Sequence, residues 1–338
     1  MFRKLFSTLI VALSICGAII VLAVAPPGTH ASPNQWKTEG WRTDFSKKNI
    51  EWHEIMSGGP PRDGIPSIDN PVFTALAGAS RIGSDEPVIS LEINGDARAY
   101  PLSILTWHEI VNDIVGGVPV AITYCPLCNA AIVFDRRVGS HILDFGTTGK
   151  LRNSDLVMYD RQTESWWQQF TGEAIVGSKL GVTLKTLPVR LSSFSRFKNR
   201  YKKALVLIPN DPDFRAYGRN PYVGYDRAKM PFLYQGDMPK GINPMARVVV
   251  IKQKSQHLAV TLNHLRTKGT LIIGGVHLSW EKGQNSALDT DRISQGRDVG
   301  NVVAQVKGAN GKRLDIKYDV TFAFVFHAFH PESAIINK

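Results

Sequence analysis

Cysteine is nearly absent from this chain of 338 residues, which has three. One of them, Cys16, falls inside the N-terminal apolar run. The two others stand three residues apart in Cys125-Pro126-Leu127-Cys128. A multi-bridge disulfide framework is therefore excluded, and so is a zinc ribbon built from two C-x-x-C pairs. Also missing are a Walker loop, G-x-S-x-G, H-E-x-x-H and a dinucleotide fingerprint. Acidic residues are in deficit, 29 against 40 Lys and Arg, for a net charge of +11. The bases are scattered, as in Lys47-Lys48, Arg196 to Lys203 and Lys312-Arg313, and no nucleic-acid motif goes with them. We expect no nucleic-acid partner. The charge fits solubility or loose attraction to an anionic envelope.

The one long hydrophobic run is Leu5 to Ala25. Arg3 and Lys4 precede it, and Thr29-His30-Ala31 offers small residues before a cut at Ser32. Residues 1–31 read as an export signal, with retention as a membrane anchor the alternative. The expected location is the periplasm or cell envelope, where disulfides persist. Residues 32–71, rich in Gly, Pro, Asp and Trp, read as an extended lead-in laid on the domain and pinned by Trp36, Trp41 and Trp52. Residues 72–338 read as one β-rich domain.

Within it, Pro87 to Tyr100 is expected to form a hairpin about Asn94-Gly95. Pro101 opens a helix with Ile104, Trp107, His108 and Val111 on one face. Val118 to Tyr124 and Ala131 to Asp135 are strand-like, which places C-P-L-C in a turn between strands. A thioredoxin-like protein would instead start a long helix there. Leu156 to Arg161 is another expected strand, Ser193 to Tyr201 a basic helix, Tyr217 to Met238 irregular, and Val320 to His330 a buried closing strand. Val248 to Leu265 can be laid on Val88 to Leu105 at a constant offset, with Val88/Val248, Ala99/Ala259, Leu102/Leu262 and Leu105/Leu265 identical. Ile272-Ile273-Gly274-Gly275-Val276 then echoes Ile114-Val115-Gly116-Gly117-Val118. The fold class expected is α+β and β-rich, with a strand-hairpin-helix-strand unit occurring twice, about 87–125 and 247–280.

Three chemistries suit Cys125 and Cys128. As a thiol redox couple, Cys125 is the exposed nucleophile and Cys128 the resolving thiol. As a metal site for copper or zinc, the pair needs other ligands, and His108 is the candidate. The bland reading is an inert local disulfide. His108 lies on an apolar helix face, where histidines are often core residues bonded to a carbonyl, but it sits beside Glu109 on the element leading to the cysteine strand. Candidate binding residues are Trp107, Glu109, Asn153, Asp155, Tyr159, Asp160, Arg161, Trp167 and Gln168. For Asp155, Asp160 and Arg161 the competing reading is a buried polar network. For the tryptophans it is simple core filling. A non-catalytic scaffold with an aromatic ligand pocket is the third class. The partner expected is a redox protein or a small ligand, with envelope membrane association open.

Trp107-His108-Glu109-Ile110-Val111-Asn112-Asp113, Tyr124 to Cys128, Asn153 to Arg161 and the closing Phe326-His327-Ala328-Phe329-His330-Pro331 resemble the bacterial domain-of-unknown-function family 3179. The resemblance covers most of residues 70–335. It brings no assigned activity. Some relatives are described as selenoproteins with selenocysteine in the cysteine motif, which implies redox chemistry. Family members usually have Gly after the second cysteine; Asn129 stands there in this chain, and Asn also tolerates a left-handed turn.

Overall fold

Tight left-handed turns set the strand pairings. Asn94 and Gly95 have φ of 52° and 85° and join Pro87–Ile93 to Asp96–Pro101. Gly116 and Gly117, at 53° and 80°, join Ile110–Val115 to Val118–Cys125. Asn153 and Ser154, at 54° and 62°, join Phe145–Arg152 to Asp155–Asp160. Two successive positive φ values match the right-handed twist of the flanking strands, which is why such turns close hairpins. The computed structural model describes residues 32–253 and 256–338. The expected export signal, residues 1–31, lies outside the described residues. Among the described residues no helix is long and apolar enough to cross a membrane.

The protein is β-rich, and its described residues form five sheets of four or five strands arranged like the blades of a propeller, plus one two-stranded ribbon. No thioredoxin-like arrangement occurs at the cysteines, where strand runs through a turn into strand.

Two parts of the chain share one order of elements. In the first, the hairpin Pro87–Ile93 and Asp96–Pro101 leads into helix Leu102–His108 and the hairpin Ile110–Val115 and Val118–Cys125. In the second, Arg247–Gln253 pairs with Gln256–Thr261 and leads into helix Leu262–Lys268 and the hairpin Thr270–Ile273 and Val276–Glu281. Later segments return to each with the same register. Arg190–Ser193 pairs with the first hairpin through Ser193↔Pro87, continues as helix Phe194–Arg200, and Leu205–Ile208 then runs parallel with Val206↔Ala99. Tyr318–Phe322 pairs with the second through Phe322↔Arg247, continues as helix Ala323–Phe329, and Ile335–Ile336 runs parallel with Ile335↔Ala259.

Two expected elements are corrected. The first helix stops at His108, because Glu109 takes φ of +59° and the chain turns into a strand. Val111 is thus a strand residue, and its helical spacing from His108 is coincidental. The Val320 to His330 run is strand only to Phe322 and helix from Ala323 to Phe329. A short apolar run fits either element by periodicity alone.

The lead-in is tied in more deeply than a surface strap. It contains the short helix Pro33–Thr38, capped by the Ser32 hydroxyl, and an edge strand, Ile55–Ser57, paired to Phe145–Arg152. Trp36, Trp41 and Phe45 pack around Trp166 at centroid distances of 4.9, 5.3 and 5.3 Å, and Trp52 meets Trp36 at 5.3 Å. Each large aromatic so buried contributes on the order of 2–3 kcal/mol through the surface it takes out of water.

Candidate functional site

The cysteine turn is built by its own backbone. Cys128 N–H donates to Cys125 O at 3.2 Å, and Asn129 N–H to Pro126 O at 3.1 Å. Asn129 takes the left-handed position, φ +50°, and Cys125↔Ala130 closes the register. The second half of the chain fixes this turn from behind. Cys128 O accepts from Phe322 N–H at 3.2 Å and from the Thr321 hydroxyl at 2.7 Å. Asn129 donates to Val320 O at 3.2 Å and accepts from Arg247 at 2.8 Å. Arg247 is itself buried against Asp226, which Ser286 also holds at 2.5 Å. A sulfur position fixed by so many bonds is preorganised rather than adaptable.

Both thiols are free and face inward, Cys125 2% exposed and Cys128 fully buried. They meet the Asn153-Ser154 turn head on: Ser154 O lies 3.9 Å from Cys125 Sγ and 3.5 Å from Cys128 Sγ. The next residue, Asp155, completes a group with the two cysteines whose ligand atoms all lie within 4.8 Å of one another. Asp155 is fully buried. Its Oδ2 accepts from Gln168 Nε2 at 2.6 Å and from Phe170 N–H at 2.9 Å, and its Oδ1 has no hydrogen-bond partner. Such an orphaned acceptor in the interior carries a desolvation penalty of about 1–3 kcal/mol unless something meets it.

A second carboxylate faces the same interior. Glu109 is buried and accepts a long bond, 3.4 Å, from the Tyr222 hydroxyl. Its backbone O accepts from Tyr124 N–H at 2.8 Å, beside Cys125. Tyr222 and Tyr225 come from the irregular segment expected over Tyr217 to Met238, and they close the site. Tyr225 donates to Leu127 O at 3.1 Å, and Ser154 Oγ donates to Phe232 O at 2.6 Å. Tyr222 and Tyr225 pack on the cluster that includes Cys125, Cys128 and Phe322.

All four acids are held back from ionising. Burial pushes the Cys125 thiol up, and the nearby Asp155 and Glu109 carboxylates add like charge. Burial raises Cys128 well above the ordinary thiol range, with Cys125 and Asp155 adding to it. Burial lifts Asp155 to about 6 against the bonds from Gln168, Phe170 N–H and the Cys128 and Cys125 thiols, and lifts Glu109 to about 8. At neutral pH the thiols are protonated and poor nucleophiles as they stand. Protonation relieves desolvation and mutual repulsion, and a bound cation would do the same for the ionised groups. Cys125, Cys128 and Asp155 form a group that can hold a metal ion.

The other expected residues divide by position. His108 is not part of the group. Its Nδ1 donates to Pro66 O at 2.7 Å, so its Nε2 is left to accept from the Tyr217 hydroxyl, also at 2.7 Å. Both nitrogens are occupied, the ring stacks on Tyr217, and burial lowers its pKa. His108 is thus bonded to a carbonyl and a tyrosine hydroxyl, and the group that could hold a metal contains Asp155 instead. Gln168 serves the site by holding Asp155, and Asn153 serves it by making the turn. Trp107 is half-buried and donates to Arg219 O at 3.1 Å. Asp155–Asp160 is extended, so its far end is about 16 Å from Asp155. There Tyr159 and Arg161 clamp the lead-in through Asp63, Ser67 and Asp69. Asp160 caps its own turn at Thr163 and receives Trp167 Nε1 at 2.9 Å. Trp167 is fully buried and edge-on to Phe145, so it fills core rather than lining a pocket. Tyr222, Tyr225 and Arg247 also belong to the site, although no local pattern in the sequence marks them. A surface cleft of about 450 Å³ lies elsewhere, and its Arg190, Arg196 and Arg200 are already paired to Asp315 and Glu281.

Fold and site together define a β-rich, propeller-like protein with a buried two-thiol, one-carboxylate centre in its interior. The family profile described as a protein of unknown function, DUF3179, matches residues 62–333, and the chain belongs to that family. No curated protein and no solved structure matches the chain.

Proposed function

We propose that this is an exported metal-binding protein, with Cys125, Cys128 and Asp155 holding one zinc or copper ion. The observation that carries the reading is the buried Asp155 carboxylate, which has a carboxylate oxygen within 4.8 Å of two free thiols and whose Oδ1 has no hydrogen-bond partner among the described residues. Two thiolates favour Zn²⁺ or Cu⁺ over Mg²⁺ or Ca²⁺. The charged start and apolar run of residues 1–31 support export. The test is elemental analysis with thiol counting on protein taken from the exported fraction. About one equivalent of zinc or copper, lost in Cys125→Ser and in Cys128→Ser, supports the reading. Metal-free protein with two free thiols sinks it.

A thiol–disulfide couple is the second reading, favoured by two free thiols in one turn. A partner disulfide would be reduced as the Cys125–Cys128 bond forms, the two thiol protons passing to the partner's sulfurs. That exchange needs the Tyr222 and Tyr225 cover to open, since Cys125 is 2% exposed. Protection of Cys125 from a bulky alkylating reagent in the native protein would count against it.

We also infer that the two units of equal element order are copies of one ancestral unit. Their shared helix lengths and registers support this. An experimental structure whose two units fail to superpose through both hairpins would refute it.

A further inference from the structure

Glu109 occupies a backbone position made for glycine. It is the residue after helix Leu102–His108, with φ of +59° and ψ of −30°. Its N–H donates to Leu105 O, and its carbonyl accepts from Tyr124 N–H, both at 2.8 Å. The second unit has the same junction after helix Leu262–Lys268. There the residue is Gly269, φ 71° and ψ −49°. Its N–H donates to Leu265 O at 2.8 Å, and its carbonyl accepts from Trp280 N–H at 2.9 Å. The backbone job is therefore the same in both places, and glycine does it without steric penalty. A glutamate there is strained, and strain at a non-glycine residue is kept where the side chain has work to do.

The direction of the side chain says what that work is. Ile110 pairs with Thr123, so a regular strand would set Glu109 on the face of its cross-strand neighbour Tyr124. That face belongs to the cluster of Tyr100, Val111 and Tyr124. Instead Glu109 meets the Tyr222 hydroxyl, and Tyr222 packs on the opposite cluster, which contains Cys125 and Cys128. The left-handed backbone turns the carboxylate to the cysteine side. It lies outside the tight three-ligand group, and its carboxylate accepts one long bond, from the Tyr222 hydroxyl. In the second unit no cysteine follows the matching strand, and the glycine is retained.

Building on the metal reading above, we propose that Glu109 is the fourth ligand of the centre, exchanging its Tyr222 bond for the ion and making a two-thiolate, two-carboxylate site that holds Zn²⁺ more tightly than the three ligands alone while adding little for Cu⁺. Two hard oxygens complete tetrahedral zinc, whereas Cu⁺ is satisfied by the two sulfurs and gains little from carboxylates.

The experiment measures Zn²⁺ affinity against a chromogenic chelator and Cu⁺ affinity against a Cu⁺-specific chelator. The proteins are the wild-type chain, Glu109→Gly, Glu109→Gln and Cys125→Ser. We expect Glu109→Gly and Glu109→Gln each to weaken Zn²⁺ by roughly tenfold or more and to leave Cu⁺ within about threefold. Metal-free Glu109→Gly should melt at or above the wild-type temperature, because backbone strain is removed. A role in packing alone predicts the reverse pattern, a lower melting temperature with Zn²⁺ affinity intact. Unchanged Zn²⁺ affinity in Glu109→Gly, or full affinity in Glu109→Gln, overturns the assignment while the three-ligand centre stands. Zn²⁺ affinity unaltered in Cys125→Ser, or no Zn²⁺ bound by wild type, overturns the metal reading and this assignment with it.

Discussion

The Asp155 carboxylate and the Cys128 sulfur lie within 4.8 Å of each other in the interior, and Asp155 Oδ1 accepts no hydrogen bond. The other oxygen, Oδ2, is the acceptor for Gln168 and Phe170 N–H. On the metal reading the carboxylate then has a structural role, through Oδ2, and a chemical role at the ion. Asp155→Asn keeps an acceptor for Gln168 and Phe170, so it should fold with a loss of about 1 kcal/mol or less while losing metal. Asp155→Ala strands both donors and should cost about 3 kcal/mol. Denaturant unfolding with parallel metal analysis checks both. Equal destabilisation by the two variants would contradict the division of roles.

Glu109 and Asp155 should each contribute stability to the metal-free protein that is lost as pH rises from about 4 to about 8, a contribution isolated by comparison with Glu109→Gln and Asp155→Asn. Glu109 and Asp155 have folded pKa values raised to about 8 and about 6. An acid with a raised folded pKa binds its proton more tightly when folded, so in this window the native state holds more protons at these two sites than the unfolded one. Their contribution to the unfolding free energy therefore drops with pH, by on the order of a few kcal/mol, and the drop ends above the folded pKa. Glu109→Gln should remove the upper part of the slope. With zinc present the sign should reverse, because metal binding releases protons and strengthens with pH. Urea titrations at several pH values, with and without chelator, read both slopes.

On the acid side a histidine pair should matter. His330 stacks on His257 with ring centroids 3.9 Å apart, and burial, with His257 and Lys252 nearby, lowers its pKa to about 4. Lys252, His257 and His330 are positive together only at a cost. A depressed folded pKa means stability present above about 6.5 and lost as pH falls toward about 4. His330→Phe should preserve the stack and flatten that loss, visible in thermal melts between these limits. An unchanged acid limb would exclude the pair as its source.

The aromatic clamp predicts a local effect at a distance from the site. Trp36 is fully buried against Trp166 and Trp52. Trp36→Ala should cost about 3–5 kcal/mol and expose the lead-in to proteases first. Limited proteolysis with mass mapping should show early cuts within residues 32–60. Cuts that begin instead in Tyr217 to Met238 would contradict the clamp.

Much of this was legible in the sequence where local backbone chemistry decides the outcome. Asn94-Gly95 and Gly116-Gly117 announce their turns because few residues accept positive φ. Ala131 to Asp135 excludes a helix after Cys128, so the cysteine turn was readable. The helix end at His108 was hidden because a glutamate holds the left-handed position where glycine is the usual signal. His108 fell on the expected buried face, but periodicity says nothing of Pro66 and Tyr217, which occupy its nitrogens. Asp155 was visible as a buried acid, whereas its approach to the cysteines depends on two hairpins meeting. Tyr222 and Tyr225 lie in a segment without periodicity. The Arg247–Asn129 bond spans 118 residues and leaves no local trace.

Native mass spectrometry of the purified wild-type chain separates a metal-bound, a free-thiol and a disulfide state of Cys125 and Cys128 by mass. The account predicts the protein plus one zinc or copper ion, with the adduct absent in Asp155→Asn. A metal-free mass two hydrogens light, unchanged in Asp155→Asn and restored by reductant, would contradict the metal centre and point to a disulfide.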